Sequence, residues 1–176
     1  VELINMHKRM GTTFVYVTHD QVEAMSMADD IVLMDKGKIV QQCGPRELYR
    51  NPNSIYTAQF IGSPQTNIWD GRLPDGMKLG FRPERVKLHA VDPEVGLNIP
   101  ALVQTKEVLG AEIIYSMDTP FGLIMCKSED EISENSRLTV SVDFNSLYLF
   151  GADALRLPFT PHWREAVKTV YGGDPA

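Results

Sequence analysis

A histidine that could contact a phosphate group or position a water molecule stands at residue 19, within the stretch TTFVYVTHDQVEAM. His19 follows an apolar run that is typical of a buried parallel strand, and it precedes a segment with helical spacing. Ligands bind at the carboxyl ends of parallel strands, where a neutral imidazole can donate a hydrogen bond to a phosphate oxygen or hold a water. A single histidine after a strand is also common as a structural residue, so the residues alone leave both interpretations open.

The elements on either side of this histidine follow from residue type and spacing. Residues 12–18 are β-branched or aromatic at nearly every position, which favours a strand covered on both faces in a parallel sheet. Asp20 suits the N-cap of the next helix, and Glu23 stands three residues later in capping-box position. An earlier helix is expected over Glu2–Met10, and Gly11 ends it.

The following stretch predicts a β-hairpin and two short helices. Asp35, Lys36 and Gly37 give a compact turn signal between two apolar runs. Asn53 is the expected cap of the second helix. The predicted elements are strands at residues 31–34 and 38–42 and helices at residues 46–50 and 54–61.

The spacing of apolar residues changes at SPQTN, residues 63–67, from helical spacing to alternation with period two. This change predicts a domain boundary after residue 64. Many short strands at regular spacing favour an OB-type barrel over residues 65–159. Residues 160–176 are expected to form a tail, with a short helix and then disorder. The predicted strands of the barrel are residues 77–81, 86–90, 99–108, 112–118, 122–127, 137–144 and 147–150.

Composition excludes several classes of protein. The chain has 176 residues and a net charge of −6, so it is poorly suited to phosphate backbones and no nucleic acid is expected as a ligand. No apolar stretch approaches the ~20 residues of a membrane-spanning helix. Cys43 and Cys126 lie far apart, which favours free thiols over a disulfide or a metal site. The chain starts inside a helical pattern at Val1, so we expect its natural start to lie upstream.

Several stretches resemble a known family. VYVTHDQVEAM, ADDIVLMDKGKIVQQCGPRELYRNP and FIGSP resemble the end of the nucleotide-binding domain of ABC importers of the maltose and glycerol-3-phosphate type. By this resemblance His19 is the switch-loop histidine that contacts the γ-phosphate and the attacking water, and Thr18, Asp20 and Gln21 complete the loop. GFRPERVKL, EVLGAEIIYSMDTPFG and RLTVSVDFNSLYLF resemble the family's regulatory barrel, the transport-associated OB (TOBE) domain.

The resemblance implies a fold and a function. The expected fold is an α/β remnant at residues 1–64, the end of an ABC nucleotide-binding domain, followed by an all-β OB-type barrel. The chain is then the C-terminal part of the ATP-hydrolysing subunit of an importer for sugars or related solutes. ATP and magnesium are the implied cofactors of the intact subunit, and none is expected for this chain alone. The implied partners are membrane permease subunits, a second copy of the subunit and a regulator protein, on the cytoplasmic face of the cell membrane.

One departure from the family bears on catalysis. An ATPase of this type holds its phosphates with a loop of the form G-x-x-x-x-G-K-[ST]. The nearest match runs from Gly71 to Gly76, but Met77 stands in the lysine position and no strand-to-helix transition surrounds it. The signature motif and the strand that ends in a metal-binding aspartate are also missing. We therefore expect no ATPase activity from this chain alone.

Two alternative functions remain: a catalytically silent interaction module, and a barrel that binds a small oxyanion. Arg82, Glu84 and Arg85 could form an anion site, since arginine presents rigid forked donors. A turn that Pro83 fixes and that these charges brace from outside is the favoured interpretation. Gly110 is interpreted as a turn or bulge between strands.

Four aromatic residues in the strand region invite comparison with base-stacking residues of nucleic-acid-binding barrels. They alternate with polar residues, as core aromatics do, so we expect them to be buried. The four are Tyr115, Phe144, Tyr148 and Phe150.

Overall fold

A computed structural model of the protein describes residues 2–172. The chain divides into two compact units, a first unit of residues 1–52 and a second unit of residues 53–176. Strands outnumber helices, so the fold is mostly β. Within the described range, no helix is both long and apolar enough to cross a membrane.

Over residues 2–172, the first unit contains three α-helices and one β-hairpin, and the second unit contains two α-helices, three short 3-10 helices and nine strands. The helices are α1 (Glu2–Met10), α2 (Gln21–Met27), α3 (Pro45–Arg50), α4 (Ile55–Phe60) and α5 (Pro161–Tyr171). The strands are β1 (Ile31–Asp35), β2 (Lys38–Cys43), β3 (Asn67–Trp69), β4 (Lys78–Phe81), β5 (Val86–Lys87), β6 (Gly96–Leu109), β7 (Glu112–Thr119), β8 (Gly122–Ser128), β9 (Arg137–Asp143), β10 (Leu147–Phe150) and β11 (Arg156–Leu157).

Glycine ends the first helix and turns the hairpin of the first unit. Gly11 has a φ of 61° and donates its N–H to the carbonyl of His7 at 3.0 Å, which confirms the predicted end of α1. Strands β1 and β2 pair antiparallel, as predicted. Lys36 and Gly37 have φ values of 48° and 77°. Two consecutive positive φ values match the tight turns that follow the twist of a hairpin.

The predicted buried strand at residues 12–18 is wrong. This segment lies outside every described strand, and Val15 and Val17 are 89% and 90% exposed. A strand forms only where a neighbour accepts and donates its backbone hydrogen bonds, and no described residue pairs with this segment. Its sequence has the propensity for a strand, but its surroundings in the described chain supply no sheet.

Two antiparallel sheets form the second unit. One has the strand order β11-β10-β4-β3, and the other has the order β5-β9-β6-β7-β8. The apolar face predicted for residues 137–144 is confirmed at Val140 and Val142, which are fully buried in β9, but Ser141 between them is fully buried as well. Gly110 has a φ of 67° and turns the chain between β6 and β7, as expected. The two sheets share one apolar core.

The C-terminal helix α5 is part of this core. Its Val167 and Tyr171 are buried, and the Tyr171 ring stacks on Trp69 with ring centroids 5.1 Å apart. The helix predicted in the tail is therefore confirmed, and it packs on the strands. The disorder expected at the end of the tail falls on residues 173–176, which lie outside the described range. The four aromatic residues that we predicted as core are buried: Tyr115, Phe144, Tyr148 and Phe150.

Arg82 is a core residue, which corrects the expectation for this one charge of the turn, whereas Glu84 and Arg85 are exposed as expected. Only 1% of Arg82 is exposed. Its Nη1 donates to the carbonyl of Ala58 at 2.9 Å and also to the carbonyl of Ile61. These carbonyls belong to the end of α4, where a helix leaves its last acceptors without partners. Pro83 does begin a turn between β4 and β5, as predicted.

Helix α4 packs within the second unit. Its cap is Ser54, whose hydroxyl accepts the N–H of Thr57 at 3.2 Å, so the expected cap at Asn53 is wrong. The carbonyl of Asn53 instead accepts the N–H of Arg156 at 2.8 Å. The compact units therefore divide at residue 52, whereas the sequence placed the domain boundary after residue 64.

The side-chain amide of Asn67 joins the two sheets. It donates from Nδ2 to the carbonyl of Met125 at 2.8 Å, and its Oδ1 accepts the N–H of Met125 at 2.7 Å. Asn67 lies in β3, at the edge of one sheet, and Met125 lies in β8, at the edge of the other. An edge strand leaves backbone groups without partners. The Asn67 amide thus makes the two backbone hydrogen bonds that a neighbouring strand would otherwise make with Met125. We call this contact between β3 and β8 the seam.

We expect Asn67→Ala to lower the free energy of unfolding of the second unit by about 2 kcal/mol, because the N–H and C=O of Met125 lose their partners. Urea denaturation followed by tryptophan fluorescence measures this effect. Both tryptophans, Trp69 and Trp163, belong to the second unit, so the signal reports on it alone.

The matched control is Asn98→Ala. Asn98 makes the same pair of bonds with the backbone of Val91, both at 2.8 Å, but these bonds do not join the two sheets. Asn98 is half-buried, whereas Asn67 is only 7% exposed, so water can replace the Asn98 amide more easily and we expect a smaller loss. Equal losses in the two variants would show that the seam has no special dependence on Asn67.

Both cysteines are free thiols, as predicted. Cys126 is fully buried in β8, and burial raises the pKa of its thiol to about 12. Cys43 is half-buried in β2. Since the thiolate is the reactive form, the two thiols should differ strongly in reactivity.

We expect one thiol, Cys43, to react quickly with Ellman's reagent at pH 8, and Cys126 to react only after urea unfolds the second unit. Absorbance at the wavelength of the released thiolate measures the stoichiometry. In Cys43→Ser the fast phase should disappear. A fast reaction of both thiols in the folded protein would contradict the burial of Cys126.

Candidate functional site

The four candidate residues lie together in the loop that leads into α2. Thr18 is half-buried, while His19 and Asp20 are exposed. Gln21 is the first residue of α2 and is half-buried. The structure therefore places the four residues in consecutive positions at the start of a helix, as the sequence implied. The strand expected before them is replaced by the exposed segment 12–18.

Asp20 fixes the start of α2. Its Oδ1 accepts the N–H of Val22 at 2.8 Å and the N–H of Glu23 at 3.1 Å. Its carbonyl accepts the N–H of Ala24 at 3.1 Å. The first N–H groups of a helix have no partner within the helix, and an aspartate cap supplies one. The predicted N-cap is confirmed, so the backbone on the C-terminal side of His19 is held in place.

Glu23 does not close a capping box, which corrects the sequence interpretation. Its Oε2 accepts the hydroxyl of Thr18 at 2.9 Å and the hydroxyl of Tyr16 at 3.1 Å. The N–H of Asp20, which a capping box would join to Glu23, donates instead to Oγ1 of Thr18 at 3.0 Å. Thr18 thus links the cap residue to Glu23, and the loop is held on the N-terminal side of His19 as well.

The contact with Glu23 changes the acidity of Tyr16. The hydrogen bond that the phenol donates to the carboxylate raises the pKa of Tyr16 above its ordinary value, and the negative charge of Glu23 raises it further. Both effects favour the neutral phenol, because the phenolate would face a carboxylate and lose the bond.

The imidazole of His19 is exposed and makes no hydrogen bond or ion pair with any described residue. Both ring nitrogens are therefore available, one as a donor and one as an acceptor in the neutral form. A ring in this state suits an external oxygen, such as that of a phosphate group or a water molecule. The geometry leaves the ring free while both of its neighbours are bonded.

Sequence reasoning missed the role of Tyr16 and misassigned that of Glu23. A signal was present, because Tyr16 and Thr18 are two residues apart in an extended segment and so point to the same side. Glu23 was identified only as a capping residue, since its position three residues after Asp20 matched that motif.

The stretch from Gly71 to Gly76 forms no phosphate-binding loop. Gly71 has a φ of 81° and Pro74–Gly76 form a single helical turn of the 3-10 type, so residues 71–76 form a loop, as interpreted from the sequence. Over residues 2–172, no group of three or more His, Cys, Asp or Glu side chains could hold a metal ion.

Comparison with characterised proteins gives clear matches. The chain is 32% identical to the sn-glycerol-3-phosphate import ATP-binding protein UgpC of Psychromonas ingrahamii, over 87% of this chain and 48% of the relative. It is 34% identical to the oligosaccharides import ATP-binding protein MsmX of Bacillus subtilis, over 86% of this chain and 50% of the relative. It is 36% identical to UgpC of Brucella abortus, over 89% of this chain and 50% of the relative.

No family model matches the sequence. The chain spans about half the length of the curated relatives that it matches. These matches cover most of the chain and agree in the kind of protein that they name. The relatives that the chain matches over most of its own length are therefore ATP-binding proteins of ABC importers for carbohydrates and related solutes.

Proposed function

We propose that this chain is the C-terminal part of the ATP-hydrolysing subunit of an ABC importer, and that it contributes the switch histidine and a regulatory barrel. The observation that carries the first role is the state of His19. Its ring is exposed and free of described partners, while Thr18 and Asp20 on either side are bonded. A fixed backbone that presents a free imidazole is what a transition-state donor requires.

The chemistry of the loop follows from its own residues. His19 donates a hydrogen bond to a terminal phosphate oxygen or holds the attacking water in line. Thr18 and Asp20 keep the backbone of the loop in one conformation, and Gln21 begins the helix that supports it. Bound ATP and magnesium supply the phosphoryl group and neutralise its charge in the intact subunit. Over residues 2–172, no group of three or more His, Cys, Asp or Glu side chains could hold the magnesium ion by itself.

The part of the second unit over residues 65–159 is proposed to be the family's OB-type regulatory domain. Its two antiparallel sheets and single apolar core support this assignment. Residues 1–64 are proposed to be the end of the nucleotide-binding domain, with the domain boundary after residue 64. In this proposal the barrel pairs with a second copy of the subunit and accepts a regulator protein. The subunit binds permease subunits at the cytoplasmic face of the membrane.

The alternative of an oxyanion-binding barrel has less support, because three arginines of the second unit, including the candidate Arg82, have other roles. Arg82 is buried and bonds to backbone carbonyls. Arg72 donates to the carbonyl of Pro120 at 3.1 Å. Arg156 lies over the ring of Tyr148 at 4.4 Å. A guanidinium that is already engaged in this way is a poor receptor for an anion.

In the whole subunit, we expect His19→Ala to lower the rate of ATP hydrolysis by roughly 10²- to 10³-fold, which is the usual loss for one preorganised transition-state donor. A coupled phosphate-release assay at saturating ATP measures the rate. His162→Ala is the control, because His162 lies in α5 of the second unit. Equal turnover in His19→Ala and the parent would remove His19 from the mechanism.

We expect the chain of residues 1–176 alone to hydrolyse no ATP, because it carries no loop of the phosphate-binding form. The same assay with a purified sample of verified mass tests this. Magnesium-dependent phosphate release that persists through purification would contradict the proposal that the catalytic machinery is shared with other sequence.

A further inference from the structure

One carboxylate oxygen of Glu23 accepts hydrogen bonds from two hydroxyl groups. Thr18 donates to Oε2 at 2.9 Å and Tyr16 donates to the same atom at 3.1 Å. Hydrogen bonds to an ionised acceptor are stronger than those between neutral groups. The two donors precede His19 in the chain, whereas Glu23 follows it in the first turn of α2. The Glu23 carboxylate therefore connects residues 16–18 to helix α2.

These hydrogen bonds hold the backbone on both sides of His19. Thr18 precedes it and is held by Glu23 and by the N–H of Asp20. Asp20 follows it and is held by the first amides of α2. Without the Glu23 contacts, Thr18 would keep only its bond from the N–H of Asp20, and the chain before Thr18 would be an exposed segment with no sheet neighbours in the described chain.

We infer that Glu23 is a positioning residue for His19, acting through Thr18 and Tyr16. The inference rests on the proposed function of His19 and deepens it. Glu23 does not touch the reacting atoms in this assignment. It sets the direction from which the imidazole approaches them, and such placement matters because an error of about 1 Å can cost 10²-fold in rate.

A competing explanation is that Glu23 only stabilises α2, since an acidic residue in the first turn interacts favourably with the helix dipole. Substitution separates the two roles. Glu23→Gln removes the charge but keeps a side-chain oxygen that accepts both hydroxyls. Glu23→Ala removes the charge and the acceptor together. A positioning role predicts that Gln restores what Ala loses, whereas a role through charge alone predicts equal effects.

The first test uses this chain and needs no nucleotide. Selective tyrosine labelling for NMR, with Tyr16→Phe to assign the signal, follows the titration of the Tyr16 phenol, and 15N relaxation follows the amides of residues 18–20. We expect Glu23→Ala to lower the pKa of Tyr16 toward its ordinary value and to increase the motion of the loop. We expect Glu23→Gln to keep the loop as ordered as the parent. Val22→Ala, an exposed neighbour on α2, is the control and should change neither.

The second test uses the whole subunit. We expect Glu23→Ala to lower kcat by about 10- to 100-fold with the KM for ATP unchanged, and Glu23→Gln to restore most of it. An unchanged kcat in Glu23→Ala would overturn the inference, and so would loop motion in this chain that does not respond to Glu23→Ala. If α2 unfolds in Glu23→Ala, the Gln variant decides, because equal losses in the two variants would also overturn it.

The two proposals fail in different ways. If His19→Ala keeps full turnover, the proposed function of His19 fails, whatever Glu23 does to the loop. If His19→Ala loses turnover while Glu23→Ala loosens the loop and keeps kcat, the function stands and the positioning role is wrong.

Discussion

The second unit depends on one constraint: two separate sheets share a core, and the polar groups trapped where they meet must be paired. The apolar side chains alone do not satisfy this constraint, because burial without a partner costs each backbone group free energy. Asn67 satisfies it at one seam by bonding to both backbone groups of Met125. Arg82 satisfies it beside α4 by donating to carbonyls at the end of the helix. The core can close because these few polar side chains complete the hydrogen bonding of its edges.

The first unit contrasts with this closed arrangement. Its apolar residues Val15 and Val17 lie open, and the loop that follows is ordered by local hydrogen bonds to Asp20 and Glu23. A loop ordered in this way can form and break readily, because each exposed hydrogen bond contributes little net free energy to stability. A loop that must contact an external group benefits from both properties. His19 stands where the backbone is held and the side chain is free.

The sequence was informative where a pattern is local. The apolar face over residues 137–144, the glycine at the end of α1 and the aspartate cap of α2 were all predicted correctly. It was misleading where an element needs a distant partner. Residues 12–18 have the composition of a buried strand, yet no described strand pairs with them. Arg82 was placed outside because a charge in a turn is usually solvated, and only the three-dimensional approach of α4 reveals its carbonyl partners.

The hydrogen bonds of the Asn67 amide also affect its chemical stability against deamidation. Asparagine loses its amide nitrogen spontaneously when the side-chain carbonyl carbon can approach the next backbone nitrogen, here that of Ile68. With both ends of the amide bonded to Met125, the side chain is held away from that approach while the sheets stay closed. Local opening of the seam would expose it to deamidation, and the resulting carboxylate would face a carbonyl that it cannot bond. The damage would then hinder the seam from closing again.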